Sequence, residues 1–325
     1  MILLKRAGIV LQATAHAFEA LGVFNPAVIM HQGLIHMFYR AMDKKGISSI
    51  GYCQLQTPFQ VGYRAPEPIL VGQTPAEKMG MEDPRIVQID GLFYLSYTAF
   101  DGWSALGSLM LSKDLQYFFG KRIIVAQQEI HSRLNWETKH YRWDKNLVFF
   151  PRKINGKIYF MHRIKPAILL TSVYEIAEIT PAFWNEKENP TVNEPLFLNP
   201  RELSSNYVGA GCPPIETALG WVLIYHAAYL IDTQFIYKVH VALLDLNQPS
   251  RVLANLPYPV LEPETAYECF GYVNYVVFPT ACIQVEDTVF VYYGAADSCI
   301  ACAHFSMEEM LKALLNHPSI AAYEA

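Results

Sequence analysis

Charge is what this sequence has least of. Asp, Glu, Lys and Arg make up 17% of its 325 residues, and the formal net charge is −5. No basic stripe and no run of like charges occurs, so the electrostatic footprint of a nucleic-acid-binding chain is missing. Long apolar runs are missing too: none reaches the roughly 18 residues that a membrane helix needs. Lys5 and Arg6 interrupt the first apolar stretch rather than precede it, the wrong order for a secretory signal. These absences predict a cytoplasmic chain with neither a nucleic-acid partner nor a membrane. Cysteines are few and scattered: Cys53, Cys212, Cys269, Cys282, Cys299 and Cys302 form no compact disulfide framework. They read as free, buried thiols. Cys299 and Cys302 make a lone CxxC without a second pair, so no metal site and no cofactor is expected. The oligomeric state is not readable.

Apolar residues are plentiful at 52%, with 20 Tyr and 18 Phe, and short Tyr/Phe-rich runs read as strands. One pattern recurs five times: a Pro, a few apolar residues, a Gly or Asp turn, then an aromatic strand ending in a polar residue. The copies run through Asn25-Pro26 to Arg40, Asp83-Pro84 to Thr98, Phe150-Pro151 to Arg163, Pro213-Pro214 to His226, and Phe278-Pro279 to Gly294. Each reads as a hairpin with a tight turn, and further strands such as Ser108–Ser112 follow. Four strands per repeat, five times over, predict an all-β, five-bladed β-propeller; a sandwich or barrel is the competing architecture. The repeats exceed usual propeller motifs in length, so long loops are expected over 54–78, 116–144 and 164–212. Ser306-Met307-Glu308-Glu309 is a capping box, and it predicts a short C-terminal helix over about 306–316. No linker interrupts the chain. The expectation is one domain over 1–325, with the propeller core at about 23–303.

In a propeller the innermost strands surround a central axis. The polar residues beside each repeat proline should therefore converge: Asn25, Asp83, Lys145 with Asn146, Glu216, and Glu268 with Asn274. The strand-end residues Arg40, Arg163 and His226, with Asp297, should form a second ring. Taken singly, each has a plain structural role available: Asp83 a turn residue, Arg40 and Arg163 salt-bridge partners, His226 a satisfied core histidine. Taken together, carboxylates, arginines and amides among aromatic rings describe a carbohydrate site better than an apolar pocket. Two carboxyls are what glycoside cleavage by water requires, one as acid and one as base.

At these residues the chain resembles the β-mannoside phosphorylases and mannosidases of glycoside hydrolase family 130. The resemblance rests on Gly80-Met81-Glu82-Asp83-Pro84-Arg85-Ile86 with Tyr97-Thr98-Ala99, on Lys145-Asn146 and His162-Arg163, on Gly209-Ala210-Gly211-Cys212-Pro213-Pro214-Ile215, on Tyr225-His226 and Tyr267-Glu268, and on Tyr293-Gly294-Ala295-Ala296-Asp297. It implies a five-bladed propeller and inversion at the anomeric carbon. It implies Asp83 as the general acid, acting through a sugar hydroxyl, and Asn25, Arg40 and Asp297 as ligands of the cleaved mannose. Lys145, Asn146, Arg163 and His226 complete the expected substrate-binding set, and the expected partner is a small oligosaccharide.

Family phosphorylases grip inorganic phosphate with basic residues, whereas the hydrolases activate water with a carboxylate. After Pro213-Pro214-Ile215 the phosphorylases carry Lys, and this chain has Glu216. Opposite charges about 4 Å apart attract by about 4 kcal/mol at an effective dielectric near 20, and a Lys-to-Glu exchange reverses that sign. The sequence therefore predicts an inverting, exo-acting β-mannosidase for short, β-1,2-linked mannosides, with Glu216 or Glu268 as the base. The alternative is a phosphorylase with Lys145 and Arg163 holding phosphate as co-substrate. A non-catalytic sugar-binding propeller is the third reading.

Overall fold

The computed structural model describes residues 1–130, 140–185, 194–195 and 203–319. Among them the chain is all-β, with three short α-helices. The strands form five antiparallel meanders. The first comprises Gly22–His31, Leu34–Met42, Ser48–Thr57 and Gln60–Arg64. The second comprises Gly80–Ile89, Leu92–Phe100, Ala105–Ser112 and Phe118–Ile123, and one parallel bridge, Ser48 to Gly80, links it to the first. The third runs Lys145–Phe149, Ile158–Ile164, Ala167–Val173 and Glu194–Pro195. The fourth runs Tyr207–Ala210, Gly220–Ile231, Gln234–Leu244 and Val252–Asn255.

The fifth meander has Val277–Val285, Thr288–Ala295 and Cys299–Ser306, and its outer strand comes from the other end of the chain. Lys5–Gln12 pairs antiparallel with Cys299–Ser306, Lys5 opposite His304. The sequence reading missed this strand because Lys5–Gln12 is an outer strand with an alternating exposed face, outside the repeating hairpin. Three stretches expected as loops likewise contain outer strands, namely Gln60–Arg64, Phe118–Ile123 and Glu194–Pro195.

The apolar faces pack in cyclic order. Phe38, Ile50, Phe93 and Leu95 join the first meander to the second, and Leu109, Phe149 and Phe160 the second to the third. Val148, Met161, Trp221 and Leu223 join third to fourth, and Val222, Ile224, Val289 and Val291 fourth to fifth. Met37, Cys53, Tyr292 and Ile300 join the fifth back to the first. Each fully buried large side chain contributes about 1.5–3 kcal/mol. The helix Met307–Leu315 lies on the core shared by the fourth and fifth meanders through Met307, Met310 and Leu314. Ser306 Oγ accepts from Glu309 N at 3.2 Å, which is the expected cap. The cysteines are free. Among the described residues, no cluster of His, Cys, Asp and Glu could hold a metal ion, and no helix is long and apolar enough to cross a membrane.

Candidate active site

The site is built from a backbone device repeated in the first strands. The strand Gly22–His31 bulges between Phe24 and Ala27, Gly80–Ile89 between Glu82 and Arg85, and Lys145–Phe149 between Lys145 and Val148. At these bulges Asn25, Asp83 and Asn146 take φ of 49°, 50° and 57°. Asn and Asp tolerate this left-handed conformation better than other L-residues, and a bulge re-aims the side chain it carries. The third copy is thus centred on Asn146-Leu147, and Pro151, which the sequence pattern used, lies past the strand end.

On the second strands, neighbouring side chains alternate between two faces. Arg40 and Arg163 turn towards the site, and His226 lies just behind it. The residue before each turns to an interior partner: Tyr39 Oη donates to Glu19 at 2.9 Å, His162 Nδ1 bonds Asp144 at 2.7 Å, and Tyr225 Oη donates to Asn255 at 2.8 Å. In the second and fifth meanders Tyr97 and Tyr293 do the same with Glu77 and Glu268, both at 2.7 Å.

Asn25, Arg40, Asp83, Lys145, Asn146, Arg163 and Asp297 line one cavity of about 160 Å³, together with Tyr237, Val273, Val276 and Phe278. All seven polar residues were expected here. Asp83 is its centre: Asn25 Nδ2 donates to Oδ1 at 2.8 Å, Arg40 donates to Oδ1 at 3.2 Å, and Lys145 Nζ stands 3.9 Å from Oδ2. Arg40 also donates to Glu82 at 2.7 Å, and Lys145 lies 3.6 Å from that carboxylate. Beneath them Arg85, fully buried, donates to the Asp83 carbonyl at 2.7 Å and to the Gly211 carbonyl at 3.2 Å. This explains the Asp-Pro-Arg run: the arginine curls back to hold the backbone of the aspartate.

The two cavity carboxyls titrate apart. Burial alone would raise Asp83, but Arg40, then Lys145 and Arg85, and the Asn25 hydrogen bond hold it well below the carboxylate range. Burial dominates at Asp297 and, with the nearby Asp83 and Glu82 charges, lifts it to about 6 against the pull of Arg40. Arg163 has no carboxylate partner among the described residues. Its NH1 approaches His226 Nε2 at 3.3 Å, and its Nε has no partner among the described residues. Arginine only donates, so Nε2 accepts and His226 is the neutral Nδ1-H tautomer. Burial, then Arg163 and Arg85, depress its pKa to match. Asn146 Oδ1 likewise has no partner among the described residues. The cavity wall thus offers a buried guanidinium nitrogen and an ammonium beside two carboxyls of different pKa.

Three expectations need correction. Glu216 does not line the cavity. It lies on the short strand Ile215–Thr217, its side chain is 44% exposed, and Arg152 grips both its oxygens. Glu268 is buried but spent: Arg6 Nε donates to it at 2.9 Å, Tyr293 at 2.7 Å, and the backbone of Glu264 at 2.9 Å. It repeats the role of Glu77, each closing a Thr-x-x-Glu capping box. That recurrence, Thr74-x-x-Glu77 and Thr265-x-x-Glu268, was the legible sign of a structural acid. His226 is fully buried behind Asn146 and Arg163 and does not line the cavity. Sequence reasoning gave Arg85 no role and missed Tyr237, for which no sequence signal exists.

A family model for glycoside hydrolase family 130, described as beta-1,4-mannooligosaccharide phosphorylase, matches residues 6–316. A 1,2-beta-oligomannan phosphorylase of Thermoanaerobacter sp. (strain X514) is 35% identical, covering 95% of this chain and 99% of that protein. A beta-1,2-mannobiose phosphorylase of the same organism is 34% identical, covering 91% and 93%. Among solved structures, a beta-1,2-mannobiose phosphorylase from Listeria innocua in complex with beta-1,2-mannobiose superposes with a TM-score of 0.78 at 24% identity, over 95% of this chain and 97% of that one.

Proposed function

We propose that this chain, which belongs to glycoside hydrolase family 130, is an inverting phosphorylase of β-mannosides, with β-1,2 linkages its substrate class. This reading replaces the hydrolase expectation, which rested on Glu216. The observation that carries it is Arg163, without a carboxylate partner among the described residues, beside Lys145, Asn146 and the acid pair Asp83 and Asp297. A buried cation without a counter-ion is costly, and an anionic substrate relieves that cost. A hydrolase needs a free second carboxylate to activate water, and Glu216 and Glu268 are each committed to an arginine. The names of the relatives point the same way.

In this mechanism Asn25, Arg40 and Asp297 hold the terminal mannose. Phosphate lies against Lys145, Arg163 and the Asn146 amide. A phosphate oxygen bonds to the anomeric carbon from one face as the glycosidic oxygen leaves from the other. The leaving oxygen receives its proton from Asp83, relayed through a sugar hydroxyl. The products are α-mannose 1-phosphate and a mannoside one unit shorter. Asp83 is ionised in the free pocket because cations surround it. Phosphate opposes those charges, and its binding raises the Asp83 pKa towards the range a proton donor needs. The order is thus built in: the acid is competent once the nucleophile is bound.

The cyclic packing of the five meanders supports a five-bladed propeller in a single domain, closed by Lys5–Gln12 on the last blade. The test is product identity from β-1,2-mannobiose with and without phosphate. Mannose 1-phosphate formed only with phosphate is the expected result. Free mannose released equally fast without phosphate overturns the proposal.

A further inference from the structure

Glu82 precedes Asp83 in the chain, meets the same two cations and meets them more closely. Its Oε1 accepts from Arg40 at 2.7 Å, and its Oε2 lies 3.6 Å from Lys145 Nζ. The corresponding distances to Asp83 are 3.2 Å and 3.9 Å. Arg40 is clamped from another side as well, since its Nε donates to Ser48 Oγ at 2.9 Å. Successive residues of a regular strand point to opposite faces. The bulge that follows Glu82, with its left-handed turn at Asp83, brings both carboxylates to one pair of cations instead. Glu82 is 6% exposed and does not line the cavity. One of its oxygens thus serves the cation on the sugar side, and the other serves the cation on the phosphate side.

We propose that Glu82 is a positioning residue: it is the resident counter-ion of Arg40 and Lys145, and by holding them it leaves Asp83 able to carry the proton that the leaving oxygen takes. The inference rests on the proposed reaction and deepens it. A general acid must be protonated when the bond breaks, and cations that close on a single carboxylate keep it ionised. Around Asp83 stand Arg40 of the first meander, Lys145 and Arg163 of the third, His226 of the fourth, Asp297 of the fifth and Arg85 on its own strand. Among the described residues its ion-pair partners are Arg40 and Lys145, and Glu82 competes for both. Sharing them weakens their pull on Asp83, and the Glu82 charge itself opposes ionisation of its neighbour. The same charge weakens Lys145 as a phosphate ligand, so a readier acid comes with looser phosphate binding.

The test is Glu82→Gln, which keeps an acceptor for Arg40 and removes the charge, assayed by phosphorolysis of β-1,2-mannobiose across pH. Loss of a negative neighbour lowers the pKa of the acid, so its proton is lost at lower pH. The alkaline limb of kcat should move about one pH unit down, and kcat near neutral pH should fall about tenfold. KM for phosphate should fall about threefold or more, because Lys145 keeps one competitor fewer. A mere structural brace would raise both KM values and leave the limb in place, and that result overturns the inference. Glu82→Asp keeps the charge but draws it back, so its limb should lie between the two. It decides alone if the glutamine variant does not fold: an unmoved limb there also overturns the inference. Carbon-13 NMR of the Asp297 carboxyl separates this inference from the reaction it rests on. Burial, with the Asp83 and Glu82 charges, holds that group at about 6 against the pull of Arg40. Its pKa should fall in Glu82→Gln whether or not phosphate is a substrate. A fall in a protein that phosphorolyses no mannoside supports the role of Glu82 and sinks only the proposed reaction. An unmoved Asp297 overturns the inference.

Discussion

Asp83 and Asp297 share one cavity but meet different neighbours, and that difference can be measured. The folded pKa of Asp297, about 6, lies above the ordinary aspartate value of 3.8. Its neutral form favours folding at low pH, and that contribution is lost as pH rises from the unfolded value through the folded one. Asp297→Asn should therefore stabilise the protein by about 3 kcal/mol at pH 7.5 and by little near pH 4, read from denaturant titrations at each pH. The same variant should lose activity if Asp297 holds the sugar. Arg163→Gln should raise KM for phosphate about 10- to 100-fold, the worth of one charge-assisted hydrogen bond, while KM for the mannoside moves far less. Glu216→Gln should leave turnover within about twofold, because an exposed ion pair contributes only about 0–1 kcal/mol. Loss of activity in that variant would return Glu216 to the site.

Bulged first strands do the aiming at the scale of elements, and glycines on the facing strands make room for what they aim. A Cβ on Gly294 would stand 1.9 Å from Asn25 Oδ1 and 3.1 Å from the Asn25 backbone nitrogen. On Gly209 it would stand 2.4 Å from His226 Cε1 and 2.5 Å from Asn146 Nδ2. Gly294→Ala should displace the amide that orients Asp83 and cost about 100-fold in kcat, the scale of a misplacement near 1 Å. Circular dichroism should show the strands intact. Alternation along the second strands does the rest, because Arg40 and Tyr39, or Arg163 and His162, cannot face the same side. The sequence pattern found the site-facing members and left their interior partners unexplained.

At the scale of the whole molecule, the N-terminal strand joins the last meander. Arg6, on the N-terminal strand, holds the fully buried Glu268 and the neighbouring Glu264. Arg6→Ala leaves a buried carboxylate without its cation, and stability should fall by about 3–5 kcal/mol at neutral pH. Glu268 is depressed below its ordinary pKa despite burial. The deficit should therefore shrink as pH falls through the carboxylate range and the pair dissolves in the wild type too. Kinetic constants of the folded Arg6→Ala fraction should be unchanged, as expected of a structural acid and not of a base.

The sequence by itself determined the all-β class, the fivefold repeat, the C-terminal helix and seven polar residues of one cavity. These follow from local rules: strand composition, turn chemistry, capping, and residues that recur at matching repeat positions. It could not assign Glu216 and Glu268, because a carboxylate near a repeat position reads alike whether it faces a cavity, an arginine on the surface or an arginine inside. Only the tertiary structure decided that, by bringing Arg152 to one and Arg6 with Tyr293 to the other. The same holds for the charge state of the pocket. A pKa depends on distances between residues that the chain places 43, 58 or 63 positions apart, and no local pattern encodes those distances.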